Sequence, residues 1–274
     1  MTSCLSFPRR LATALAVLAA LGGPAAAQTL SVVGTGDGVD MLRALAASFM
    51  QEHPSARIQI PPSVGSTAGI AAVAKGEAAL GRVARILTDQ EAATGINYQP
   101  FAILPSAFYV HPSAGVTGLT NGQLADIYAG RITNWNQVGG ADQRVRVVTR
   151  EEGDSTLIVL RATMPRWRDL TVTERANTAL TTQEAMESVQ RTPGAIGFGP
   201  FTRTLERRYS VLRIDGHYPT EIGYPSRVIL ALIWREQTIT PLARAFLAFV
   251  GSQQAAQVIE SFGTTSIKKP REGS

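Results

Sequence analysis

Cysteine is almost missing from this chain: Cys4 is the only one, and it lies in an N-terminal stretch with the look of an export leader. Everything after that stretch would hold no disulfide, no thiol nucleophile and no lipid-bearing N-terminal cysteine, so packing alone must stabilise it. Histidine is scarce too. His53, His111 and His217 are the whole set, scattered without ligand spacing, which excludes a structural zinc site. After the leader no segment approaches the ~20 uninterrupted apolar residues that crossing a bilayer requires. Charged residues make up only 17% of the chain, and no dense Lys/Arg tract with interleaved aromatics occurs, so nucleic acid is not an expected partner. Internal repeats and low-complexity segments are also lacking.

The leader itself is M-T-S-C-L-S-F-P-R-R, then an apolar core of alanines and leucines ending A-A-A-Q, a basic start followed by an A-x-A exit. Cleavage is expected after Ala27, giving an exported, periplasmic protein. Arg9-Arg10 leaves a twin-arginine route open as an alternative to general export. The formal charge of +5 becomes +3 once Arg9 and Arg10 are set aside. That mild excess is carried mostly by arginine, the side chain suited to planar recognition of oxyanions.

From Leu30 onward, short β-branched runs alternate with segments of helical spacing. L-S-V-V leads through G-T-G-D-G into apolar positions Val39, Leu42, Leu45, Ala46 and Phe49. Arg57–Ile60 leads through a Gly/Ser turn into a second helix, and Val145–Thr149 leads through T-R-E-E-G-D-S-T into a third. This succession predicts an α/β class with mixed, mainly parallel sheets. Two long apolar strands, near Ala102–Val110 and Arg227–Trp234, bracket a middle block of the chain. They predict two α/β lobes joined by a two-strand hinge, lobe 1 from residues 28–105 plus 228–274 and lobe 2 from residues 106–227, facing each other across a cleft.

Three turns carry the chemistry: Gly34–Gly38, Gly65–Gly69 and Gly153–Thr156, each following a predicted strand and opening a predicted helix. G-D-S at Gly153–Ser155 superficially suits a serine hydrolase built on Ser155. That reading needs a base within hydrogen-bond reach, and D-G-H at Asp215–His217 has the wrong spacing to supply it. An anion site accounts for more residues together. Helix N-termini present unpaired N–H groups and partial positive charge, glycine admits a ligand to the backbone, and Ser, Thr and Arg add donors. Thr35, Gly36, Asp37, Gly38, Val39, Gly65, Ser66, Thr67, Gly153, Asp154, Ser155 and Thr156 are the candidate loop contacts, with Arg82, Arg85 and Arg150 as charged clamps.

The pieces G-S-T-A-G-I-A-A-V-A-K-G-E-A-A-L-G-R-V-A-R, L-T-N-G-Q-L-A-D-I-Y-A-G-R-I-T-N-W-N-Q-V-G-G, V-V-T-R-E-E-G-D-S-T and T-P-G-A-I-G-F resemble the phosphate-binding proteins of bacterial ABC importers. The resemblance runs from Val32 to about Ile267. It implies a type II periplasmic binding protein that captures phosphate between its lobes as a monomer. Delivery would be to an ABC permease in the inner membrane, with no cofactor, no metal and no bond made or broken. It further implies ligand contacts near Gly38 and Val39, at Ser66 and Thr67, and through Arg150 with the turn at Asp154, Ser155 and Thr156.

Three departures from the family pattern matter. Gly38 stands where a hydroxyl is usual, Ala84 where some members place a proton-accepting Asp, and Asp154 where Ser is expected. Asp154, or failing it Asp37, is the expected replacement acceptor, unless both are N-caps turned away from the ligand. The lost hydroxyl and the added Asp leave another oxyanion or a small organic phosphate as alternatives, and a sensing role stays open because a partner surface carries no sequence signature.

Overall fold

The computed structural model describes Met1, residues 28–203 and residues 205–267; the leader expected at residues 1–27 otherwise lies outside them. The chain runs through β1 (Gln28–Gly34), α1 (Val39–Glu52), β2 (Ala56–Gln59), α2 (Gly65–Ala74), β3 (Leu80–Val83) and α3 (Asp89–Ala92) into the long β4 (Asn97–Val110). It continues through β5 (Gly118–Leu119), α4 (Asn121–Tyr128), β6 (Arg146–Arg150), α5 (Ser155–Thr163), β7 (Asn177–Ala179), α6 (Thr182–Arg191) and β8 (Ala195–Pro200). After β9 (Ser210–Val211) and β10 (Arg213–Ile214), β11 (Arg227–Trp234) leads back to α7 (Pro241–Val250), α8 (Gln253–Ser261) and β12 (Thr265–Ser266).

The main sheet has the order β2-β1-β3-β11-β4-β8-β6-β7, with β9 and β12 both on β4; β5 and β10 form a separate parallel pair. Pairing is parallel among β1, β2 and β3 and again among β6, β7 and β8, and antiparallel wherever β4 or β11 takes part. Two parallel α/β lobes are thus joined through long antiparallel strands, as the alternating sequence pattern predicts.

Proline marks the crossing. β4 pairs with β11 as far as Pro105↔Arg227 and with β8 from Ser106↔Pro200. Proline has no N–H to contribute to a ladder, so it is tolerated where a strand exchanges one neighbour for another. Ser106 N–H closes the junction by donating to Ser226 O at 3.0 Å.

Each lobe buries its own core. One cluster joins β1 and α1 residues such as Leu30, Leu42 and Phe49 to Val228, Leu230, Phe246 and Phe249 from the end of the chain. Phe49 meets Phe246 and Phe249 edge-on at 5.4 and 5.5 Å, a favoured arrangement of ring quadrupoles. Another cluster, around Phe108, Tyr128, Trp135, Trp167 and Phe198, fills the middle block. Trp135 is fully buried and donates its indole N–H to Gly194 O at 2.9 Å, so the I-T-N-W-N motif is a packing element.

Gly38 begins α1 with φ 68°, and a Cβ there would lie 2.3 Å from Leu230 Cδ1. Gly38→Ala is therefore expected to lower stability by about 2–4 kcal/mol, combining left-handed strain with overpacking, as chemical denaturation would measure.

Candidate functional site

Where β1, β6 and β7 end, their exit loops face one another. The Thr35–Gly38 loop of lobe 1 meets the starts of α5 and α6 from lobe 2, and Thr35–Gly38, Ser155, Thr156 and Thr182 are all buried. At the centre is Arg150, the last residue of β6, 5% exposed. Its Nε donates to Ala179 O at 3.0 Å, Nη1 to Thr182 Oγ1 at 3.1 Å and Nη2 to Leu180 O at 3.2 Å. Nη2 also pairs with Asp154 Oδ2 at 2.8 Å. A planar fork held on four oxygens is fixed in direction, which a lysine could not match.

Asp154 does two jobs. It is the N-cap of α5, accepting from Leu157 N–H at 3.1 Å through Oδ1, and it is the ion-pair partner of Arg150. Burial is the main cause that pushes its carboxyl up to about 6, the nearby Asp37 charge adds to this, and Arg150 opposes it. Two carboxylates therefore compete for one guanidinium.

Asp37 is not an N-cap, contrary to one of the two expectations for it. Gly38 occupies that position and α1 has no side-chain cap. The Asp37 side chain instead crosses to lobe 2, 0% exposed, where Thr156 Oγ1 donates to Oδ2 at 2.9 Å and Thr182 Oγ1 to Oδ1 at 2.8 Å. Thr182 thus relays between Arg150 and Asp37. The turn that supports Asp37 is closed by Thr35, whose Oγ1 accepts from Asp37 N–H at 3.2 Å.

The remaining candidates divide into those at the lobe junction and those beside it. Gly36 O accepts from Gln183 Nε2 at 3.3 Å, and a Cβ on Gly36 would lie 2.8 Å from Gln183 Oε1. Thr67 Oγ1 donates across to Gly153 O at 3.4 Å. Gly65, Ser66 and Thr67 form the first turn of α2, Ser66 Oγ accepting from Ala84 N–H at 3.1 Å. Val39 is the buried first residue of α1, and Ser155 Oγ, at the start of α5, is buried without a hydrogen-bond partner.

Arg82 and Arg85 turn to other tasks. Arg82 donates to Thr35 O at 2.6 Å, to Pro61 O at 2.8 Å and to Val32 O, bracing the strand exit beneath the first loop. Desolvation, with Arg43 contributing, lowers its guanidinium to about 10. Arg85 makes a two-pronged pair with Glu91, both contacts at 2.7 Å, within lobe 1. That pairing holds the Glu91 carboxyl down at about 2.

Sequence reasoning missed Thr182 and Gln183. Their signal was present in T-T-Q-E, a Thr N-cap at Thr181 followed by a helix start, since Thr181 accepts from Glu184 N–H. As for nucleophilic chemistry at Ser155, all three histidines are engaged elsewhere. His53 packs edge-on against Phe49, His111 bonds Ser113 at 2.8 Å, and His217 packs beside Gly223. Among the described residues no group of His, Cys, Asp or Glu is arranged to hold a metal. No described helix is long and apolar enough to cross a membrane.

Comparison with known proteins places this geometry. The chain is 29% identical over 257 residues to the phosphate-binding protein PstS of Bacillus subtilis (strain 168), covering 88% of this chain and 81% of that protein. A putative phosphate ABC transporter substrate-binding protein from Clostridium perfringens, solved with bound phosphate, superposes with a TM-score of 0.81 at 24% identity, over 88% of this chain and all of the other. An ABC-type phosphate transport receptor from Vibrio cholerae gives 0.62 at 26% identity, over 87% of this chain and 99% of that one. The PBP superfamily domain matches residues 19–254, and with two lobes meeting over convergent loops, the chain belongs to the PBP superfamily.

Proposed function

We propose that this protein is an exported, periplasmic binding protein that captures phosphate between its two lobes and delivers it to an ABC permease of the inner membrane. One observation carries the reading. Arg150 sits buried where the Thr35–Gly38 loop and the N-terminal turns of α5 and α6 converge, with α2 adjoining through Thr67. The Bacillus subtilis relative, named as a phosphate-binding protein, aligns over 88% of this chain. Hinge motion about β4 and β11 opens and closes the cleft.

Several donors have to act together. A hydrogen bond to a charged group is worth about 1.5–3 kcal/mol, and micromolar binding needs about 8 kcal/mol beyond the association cost. Arg150, Thr156, Thr182, Ser66, Thr67 and the helix N-termini form a sufficient set. In this reading the protein acts as a monomer without cofactor or nucleic acid and makes or breaks no bond; the Ser155 hydroxyl lacks the hydrogen-bonded base a serine nucleophile needs.

A second reading, another oxyanion or a small organic phosphate, is favoured by two negative groups, Asp37 and Asp154, at the same junction. Calorimetric titration with phosphate, sulfate, molybdate and a simple phosphomonoester separates them. Phosphate is expected to bind at micromolar or tighter; heat from the phosphomonoester or molybdate alone would transfer the reading to that ligand, and silence from all four would end it.

A further inference from the structure

We propose that the Asp37 carboxylate is an internal competitor for the oxyanion: it takes the hydroxyl donors that the ligand needs and, in doing so, clasps the two lobes together. The proposal rests on the oxyanion reading of the cleft and extends it by naming the residue that sets the affinity.

The geometry is specific. Both oxygens of a completely buried side chain from lobe 1 accept from hydroxyls of lobe 2, Thr156 at 2.9 Å and Thr182 at 2.8 Å. A hydroxyl has one proton to donate, so neither Thr can serve a phosphate oxygen while it serves Asp37. Thr182 also receives the Arg150 guanidinium, so the carboxylate stands one hydroxyl away from the cation an oxyanion would seek.

Asp37 is held in place by its own turn. Thr35 Oγ1 accepts its N–H, Arg82 fixes the Thr35 carbonyl, and Gln183 Nε2 donates to the Gly36 carbonyl from lobe 2. The charged groups facing this carboxylate are Arg150 and Asp154 from the β6–α5 segment, with the Tyr109 phenol of β4 within electrostatic reach. A ligand bringing negative charge must therefore take both threonines from Asp37 and lie beside two carboxylates with a single guanidinium between them. Phosphate binding is consequently weakened by the same contact that closes the lobes.

Asp37→Asn and Asp37→Ala test this through two independent readouts: small-angle scattering of the protein in phosphate-free buffer, and calorimetry with inorganic phosphate. Asn keeps the shape and one acceptor should the Ala variant fail to fold. The wild type is expected to be compact before phosphate is added and to change little afterwards. Asp37→Ala should have a larger radius of gyration that contracts on adding phosphate, and both variants should bind phosphate roughly tenfold to a hundredfold more tightly than the wild type. Equal radii for all three proteins without phosphate, or weaker phosphate binding by both variants, would overturn the proposal. A larger radius in the variants with no phosphate heat from any of the three would keep the clasp and overturn the competition, along with the oxyanion reading itself.

Discussion

Arg150→Ala is expected to destabilise the protein by about 3–5 kcal/mol and to abolish oxyanion binding, the largest single effect any substitution at the lobe junction should produce. The guanidinium holds Asp154 directly, holds Asp37 through Thr182, and satisfies the carbonyls of Ala179 and Leu180. Its removal leaves two carboxylates buried with no cation between them. Most of the cost comes from those stranded charges rather than from the lost contacts. Asp154→Asn should therefore raise stability more in the Arg150→Ala background than in the wild type, whereas independent sites would simply add. Arg150→Lys retains the charge but not the fork, and should fall between wild type and Ala. Urea denaturation of the five proteins decides the matter: a loss below about 1 kcal/mol in Arg150→Ala would mean water solvates the carboxylates, and the buried-junction account would fail.

Asp154→Asn is expected to act in the opposite direction and to do so only above acid pH. The folded carboxyl keeps its proton to about 6, while the ordinary value is 3.8. Between these pH values the folded protein binds more protons than the unfolded chain, so this group's contribution falls as pH rises through the window and is flat above it. Two pH units correspond to about 3 kcal/mol at most. Asparagine is an equally good N-cap, so the bond from Leu157 N–H has a replacement acceptor. Asp154→Asn should match wild type near pH 4 and exceed it by about 1–3 kcal/mol at pH 7–8. Thermal unfolding of both proteins across that range tests it. A wild type that gains on the variant as pH rises would show that Arg150 outweighs burial.

The arrangement explains why the Gly/Ser/Thr turns were readable while their roles were not. Three turns placed after strands and before helices announce themselves by composition and spacing, because a strand exit, a glycine and an N-cap are all local requirements. Two of them, with the start of α6, meet around Arg150, and the turn at Gly65–Thr67 adjoins through Thr67. Asp37 and Asp154 look alike in sequence, each an acid in a glycine turn ahead of a helix. One became a cap and an ion-pair partner, and the other reached into the opposite lobe. Arg82 and Arg85 looked equally suited to an anion, yet backbone carbonyls hold the first and Glu91 the second.

What the amino-acid order determined alone is the local alphabet: alternating strands and helices, the glycine-opened helix starts, and Arg150 at a strand end. Those features depend on neighbours a few residues away, where hydrophobic spacing and capping act. Which donors face which acceptors was decided by the folded lobes, because Asp37 finds Thr156 and Thr182 at separations of 119 and 145 residues. No short-range preference can select among partners so distant. Only the crossing strands and the two packed cores bring those side chains within hydrogen-bond reach, and burial then fixes the pairing by making any unmatched charge costly.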